Sequence, residues 1–186
     1  MCNLGLANTK ITTIASVNNY PITNIDIEDE INILRILNAN LNQNTIPQEE
    51  AINNLINSIL KEQEIKQKKI IINEKIIEKE FYKFLENIEK KELKISEKSK
   101  KIIYKKIKIE LEWNNYISKK FLWKIDVNIE EIDKKISEEV KKNNNIEDLQ
   151  KYKDNLITIE KNKKLNIYSS NYFELLKKNS VIKFYK

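Results

Sequence analysis

The chain has 186 residues, of which 40% are hydrophobic, and a net charge of +6, so it is long enough for one domain with a real core. It contains no histidine, one cysteine and one glycine, which excludes Ser-His-Asp and Cys-His catalysis, imidazole metal ligands and any phosphate-cradling glycine loop beyond Gly5. The basic balance invites nucleic acid as a partner, but Arg35 is the only arginine and the lysines alternate with 28 acidic residues, the pattern of a solvated surface rather than of bidentate phosphate or guanine recognition.

Residues 1–10 come first. Gly5 and Ala7 are small residues spaced as at a signal-peptidase cut before Asn8, yet the basic end and longer apolar run of a complete export signal are missing. This segment reads either as a signal-peptide remnant or as a flexible N-terminus. Cys2 has no second cysteine with which to form an internal disulfide.

Thr12 to Val17 is rich in β-branched residues and reads as a strand. Asn18-Asn19 suits the positive-φ positions of a tight turn, and Tyr20 to Ile22 returns, with Pro21 tolerable only at a sheet edge. Thr23 and Asp26 form a capping box at the start of the first helix, and Ile22 and Ile27 stand where a hydrophobic staple would hold its entry. Ile27, Ile31 and Leu34 continue one apolar face. A lone hairpin is not stable in water. The only other convincing strand is Val181 to Tyr185, so the two ends of the chain are expected to pair.

Asn38 to Pro47 connects to a second helix, with Thr45 and Gln48 placed for another box. That helix carries Ala51-Ile52, Leu55-Ile56, Ile59-Leu60 and Ile65. Ile70-Ile71-Ile72 is a short extended bridge and Asn73 caps a third helix with Ile77, Phe81, Phe84 and Ile88 on one side. From Ser96 to about Trp123 the apolar residues spread around the helix circumference, which predicts a central helix packed on more than one side. Val127, Asn128 and Glu131-Ile132 repeat the staple-and-box grammar for a helix to about Val140. Asn143-Asn144-Asn145 breaks the pattern. One long helix, about 146–178, carries Leu149, Tyr152, Leu156 and Ile159 and precedes the final strand.

The predicted fold is therefore mainly α. A multi-helix domain carries a small β-sheet formed by an N-terminal hairpin (about 12–22) and the C-terminal strand (about 181–185). It is read as a single domain over 11–186, in which an N-terminal part, 11–142, is completed by the helix and strand of 146–186. No apolar run approaches the roughly 20 residues of a bilayer span. The carboxylates, which could in principle do acid–base work or bind a hard cation, sit at helix starts or alternate with lysines. No enzymatic activity, cofactor or metal is expected.

Three stretches together resemble the N-terminal chaperone domain of the SurA-type periplasmic chaperones. Val17-Asn18-Asn19-Tyr20-Pro21-Ile22-Thr23-Asn24-Ile25-Asp26-Ile27 is similar to that family's opening Val-Asn-Gly-x-x-Ile-Thr-x-x-Asp-Val/Ile signature. Ala51 to Asn57, continuing to Ile70-Ile71-Ile72-Asn73-Glu74, resembles its second helix and bridge. Ile107 to Trp113, on to Lys119-Lys120-Phe121, resembles its central helix, with Val127-Asn128 to Ile132 opening the next. The long last helix and closing strand look like the family's C-terminal segment, which returns to complete the domain. Asn19 and Lys69 stand where the family tends to have glycine. Only Lys141 to Asn145 lies where family members insert parvulin-type isomerase domains, so prolyl isomerase activity is not carried over.

The resemblance implies an ATP-independent periplasmic holdase for unfolded or extended polypeptides, outer-membrane protein precursors among them. Such a protein needs a cleft with apolar and aromatic walls rather than a reactive centre. Candidate wall residues are Phe81, Phe84, Tyr104, Trp123, Tyr152, Tyr168 and Tyr172, although ordinary core packing is the commoner role of helically spaced aromatics. Two alternatives stand beside it. One is a helical adaptor for a single folded partner, and the other is a basic nucleic-acid binder, which would bind with a steep salt dependence.

Overall fold

The computed structural model describes residues 10–37, 46–142 and 148–185. The readings of residues 1–9, of the Asn38–Thr45 connection and of the Asn143–Asn145 break lie outside them. Strands β1 (Thr13–Val17) and β2 (Tyr20–Thr23) lead into helices α1 (Asn24–Leu37), α2 (Gln48–Gln67), α3 (Glu74–Glu89) and α4 (Glu97–Phe121). A 3-10 turn (Leu122–Lys124), α5 (Ile129–Lys142), α6 (Leu149–Lys178) and β3 (Ile182–Phe184) follow. This is the mainly helical chain with a small terminal sheet that the sequence predicts. Its contacts divide into two compact units, Met1–Glu112 with Lys177–Lys186, and Trp113–Leu176. Both α4 and α6 contribute residues to each.

In the first unit the sheet is antiparallel with strand order β2-β1-β3. Asn18 and Asn19 have φ of 48° and 68°, the pair of left-handed residues that a two-residue hairpin matching strand twist requires. Asparagine tolerates that conformation better than most residues because its side chain bonds locally, and Asn18 Oδ1 accepts the Val181 N–H at 2.8 Å. The last strand is thus fastened to the turn itself. Thr23 and Asp26 form the expected box. The Thr23 N–H donates to Asp26 Oδ2 at 2.8 Å and the Asp26 N–H to Thr23 Oγ1 at 3.3 Å.

Ala15, Val17 and Ile22 turn one face of the sheet inward, where α1 and α2 pack on it. Ile27, Ile33, Ile56, Leu60 and Ile77 complete this core. The buried face of α1 departs from the sequence reading. Ile31 is only half-buried, and the face runs through Ile27, Glu30, Ile33 and Leu34. A charged residue within it obscures the apolar stripe.

Pro47 stands at the α2 N-cap with no side-chain hydrogen bond, as its fixed φ allows without a donor of its own. The C-terminus of α2 is closed more elaborately. The Ile70 N–H reaches Ile65 O at 3.0 Å and the Lys69 N–H reaches Lys66 O at 3.1 Å, with Lys69 at φ 52°. This is a Schellman closure with lysine where glycine is usual. The end of α3 repeats it, with Glu92 at φ 57° and the Leu93 N–H on Ile88 O at 3.3 Å. Asn73 caps α3 as predicted, accepting from the Lys75 N–H at 3.0 Å.

In the second unit, Trp113, Tyr116, Ile117 and Phe121 of α4 are buried together with Val127 and Ile132. Val127 and Ile132, both buried, occupy the positions of the expected staple, and Asn128 Oδ1 accepts the Glu131 N–H at 3.2 Å to start α5. No residue of α6 is fully buried. Its contribution comes from half-buried rings, among them Tyr168, Tyr172 and Phe173.

Candidate functional site

The first unit carries an open groove of about 200 Å³ between β2, α1, α2 and α4. Its walls are apolar: Tyr20, Pro21 and Ile22 from the strand, Leu55 and Ile59 from α2, and Ile102 and Ile109 from α4. Helical spacing produces this arrangement. Leu55, Ile59 and Glu62 recur every three to four residues on α2, as do Ile102, Lys105-Lys106 and Ile109 on α4, so each helix presents one stripe to the groove.

The charged groups that line it are held by the chain's own side chains. Lys106 Nζ donates to Glu30 Oε1 at 2.9 Å and lies 2.8 Å from Oε2, and Glu30 is only 2% exposed. Glu62 pairs with Lys105 at 2.8 Å and Lys66 at 2.7 Å. Burial raises the Glu62 carboxyl pKa, but the hydrogen bonds and charges of Lys105 and Lys66 outweigh it and hold the group below the ordinary carboxylate range. Asp29 takes Lys98 at 2.6 Å, and Asp26 is engaged by Thr23. The result is an apolar trough in which Glu30, Asp29 and Glu62 are ion-paired within the chain, while Asp26 is held by neutral hydrogen bonds from Thr23.

A second groove lies between α1, α3 and α4, lined by Ile33, Leu37, Phe84, Ile103, Ile107 and Leu111, with Glu80, Lys106 and Glu110 at its margin. Glu110 accepts from Lys61 at 2.6 Å. Lys106 lines both grooves.

The seven candidate wall residues fall into separate groups. Phe84 lines the second groove. Phe81 packs edge-on against Tyr104 with ring centroids 5.2 Å apart, and the Tyr104 hydroxyl donates to the Glu74 carboxylate. That bond holds the phenol proton and pushes the Tyr104 pKa up to about 12, burial and the Glu74 charge adding to it. In the second unit, Tyr168 stacks on Phe121 at 5.2 Å and 14°. Tyr172 meets Trp113, Tyr116 and Phe121 within about 6 Å, and Lys120 Nζ sits 3.9 Å over its ring. These two rings pack among the unit's core side chains. Tyr152 is half-buried on the first turns of α6. Trp123 is 76% exposed on the 3-10 turn, with its indole N–H on Lys120 O at 2.9 Å.

Sequence reasoning missed most of the groove wall. Leu55, Ile59, Ile102 and Ile109 have the spacing of core residues, and periodicity cannot separate a wall that faces a trough from one that faces a neighbouring helix. Among the described residues, no group of three or more Asp, Glu, Cys or His could hold a metal ion, and no helix is long and apolar enough to cross a membrane. No protein-family model matches the chain, and no curated protein matches it as a relative.

Proposed function

We propose that this protein is an ATP-independent holdase of the SurA type. It binds unfolded or extended polypeptides in the periplasm, outer-membrane protein precursors included, and has no prolyl isomerase activity. The observation that supports this most directly is the first-unit groove, with apolar walls and most of its charges matched within the chain. A surface of that kind gains free energy by covering apolar side chains of a client, and the ion pairing of Glu30, Asp29 and Glu62 within the chain leaves little charge to select one rigid ligand. Binding the unfolded client lowers its free concentration and so its aggregation by mass action, with no need for nucleotide. The sequence order of hairpin, capped helices and returning strand supports the same assignment.

The test is light scattering from a chemically denatured client diluted into buffer without ATP. The protein is expected to delay aggregation in proportion to its concentration, and Ile59→Asp, which puts an unpaired charge on the groove wall, is expected to weaken that effect. No suppression across several unrelated clients would overturn the proposal. Capture of one folded partner at fixed stoichiometry would favour the adaptor reading.

A further inference from the structure

The two edges of the sheet are not equivalent. Hydrogen bonds in an antiparallel pair alternate along each strand between its two sides. The Asn18 N–H donates to Val181 O at 2.8 Å and the Tyr185 N–H donates to Ile14 O at 2.9 Å. Val181, Lys183 and Tyr185 therefore direct their backbone groups at β1, and Ile182 and Phe184 turn theirs outward. On the opposite edge, Ser16 is the register partner of both Pro21 and Lys183. Because Ser16 bonds towards β3, Pro21 is the residue of β2 that faces out, and proline has no N–H to offer. One edge is closed to a further strand. The other keeps both donor and acceptor at two alternate residues, and no strand lies beyond it among the described residues.

The side chains along that edge define what fits. Phe184 is 66% exposed, and Val181 and Tyr185 are also exposed. Ile182 and Phe184 stand across from Val17 and Ala15, so they share one face, and Lys183 projects from the other. A second copy of the chain is a poor occupant. The two-fold register that pairs Ile182 with Phe184 on both copies sets Lys183 directly opposite its own counterpart, and opposed like charges destabilise a strand pair. An edge lysine is a common guard against such self-pairing. A carboxylate in the same position reverses the sign.

We propose that the outer edge of β3 is a strand-addition site for an extended peptide with an acidic residue between two apolar ones. Main-chain bonds to Ile182 and Phe184 supply the docking, and Lys183 supplies the selection. The site lies on the far edge of the sheet from the groove and does not depend on the holdase reading.

The probes are two fluorescein-labelled peptides, one built on Thr-Val-Glu-Val-Thr and the other on Thr-Val-Lys-Val-Thr, titrated with the full chain by fluorescence anisotropy. The glutamate peptide is expected to bind about fivefold more tightly than the lysine peptide, and Lys183→Glu to invert that order. Phe184→Pro, which removes an outward N–H that β1 does not use, is expected to weaken both by about tenfold with an unchanged circular dichroism spectrum. In the unsubstituted chain, saturating glutamate peptide is expected to slow amide exchange at Ile182 and Phe184. Equal binding of the two peptides, no inversion by Lys183→Glu, or unchanged exchange at both amides would overturn the proposal. So would a dimer that Phe184→Pro dissociates, which would give the edge to a second copy. Phe184→Pro is expected to keep its effect on client aggregation, so the groove and the edge are tested separately.

Discussion

The ion pair between Glu30 and Lys106 offers the sharpest test of how the first unit is held together. Glu30 is nearly fully buried on α1, and its contacts to a cation come from one ammonium group on α4. Replacing Lys106 with methionine keeps most of the apolar stem but leaves the carboxylate without its counter-charge. Breaking a buried pair from one side costs about 3–5 kcal/mol, and the partial exposure of Lys106 places the expectation near the lower end, about 3 kcal/mol. With a urea dependence of about 2 kcal/mol per molar for a protein of this size, the midpoint should fall by about 1.5 M. Replacing both residues, Glu30→Met with Lys106→Met, removes the charges together and is expected to cost less than about 1 kcal/mol. The assay is urea unfolding followed by circular dichroism at neutral pH, on the parent chain, the two single variants and the double variant. A Lys106→Met midpoint within experimental scatter of the parent would refute the reasoning. A double variant as unstable as the worse single would do the same, because it would show that packing rather than charge sets the cost.

Three further outcomes follow from the same structure. In an alkaline titration followed by ultraviolet absorbance, Tyr104 should ionise near pH 12, and Glu74→Gln should return it towards the ordinary phenol range. Because the folded-state pKa is the higher one, the stability this bond contributes is complete below the ordinary phenol pKa and is lost as pH rises through the folded value. Glu112 is 7% exposed, and burial pushes its carboxyl pKa up, the Lys108 charge opposing this only in part. Glu112→Gln should therefore raise the urea midpoint at pH 7, and the gain should vanish as pH falls below the carboxylate range, where the native acid is already neutral. Lys69→Gly should stabilise the chain by about 0.5–1 kcal/mol, a rise in melting temperature of about 2 °C, by relieving the left-handed backbone of a residue with a β-carbon; a lower melting temperature would mean that the lysine side chain contributes contacts worth more than the backbone cost.

Local grammar was the legible part of this sequence. The turn at Asn18-Asn19, the box at Thr23 and Asp26, and the caps at Asn73 and Asn128 each depend on residues within a few positions of one another, and each forms as read. The pairing of the terminal strands was legible for another reason: a hairpin needs a neighbour, and the chain offered one candidate. The left-handed backbone at Lys69 was foreshadowed by its place at a glycine position of the resembling family, whereas nothing marked Glu92. What the sequence concealed is non-local. Glu30 interrupts an apolar face because its partner arrives from 76 residues downstream, and the Glu74 carboxylate that claims the Tyr104 hydroxyl lies on a different helix, 30 residues upstream. The aromatic candidates do not form one wall: Phe84 lines the second groove, Phe81 and Tyr104 pack on each other, Tyr168 and Tyr172 pack in the second unit, and the indole of Trp123 points outward. Helical periodicity reports which side of a helix is apolar but not whether that side meets a neighbour or a trough.

The hydrogen bond between Ser16 and Tyr185 spans 169 positions of the chain, and it imposes a schedule on biosynthesis. A ribosome adding about 5–20 residues per second exposes β1 for about 10–30 s before β3 is made. Until β3 arrives the first strand lacks its second neighbour, so the incomplete polypeptide resembles the kind of aggregation-prone client its mature form is proposed to protect. The time taken to deliver the whole stretch between β1 and β3, more than the intrinsic rate of sheet formation, then sets how long the incomplete sheet remains vulnerable.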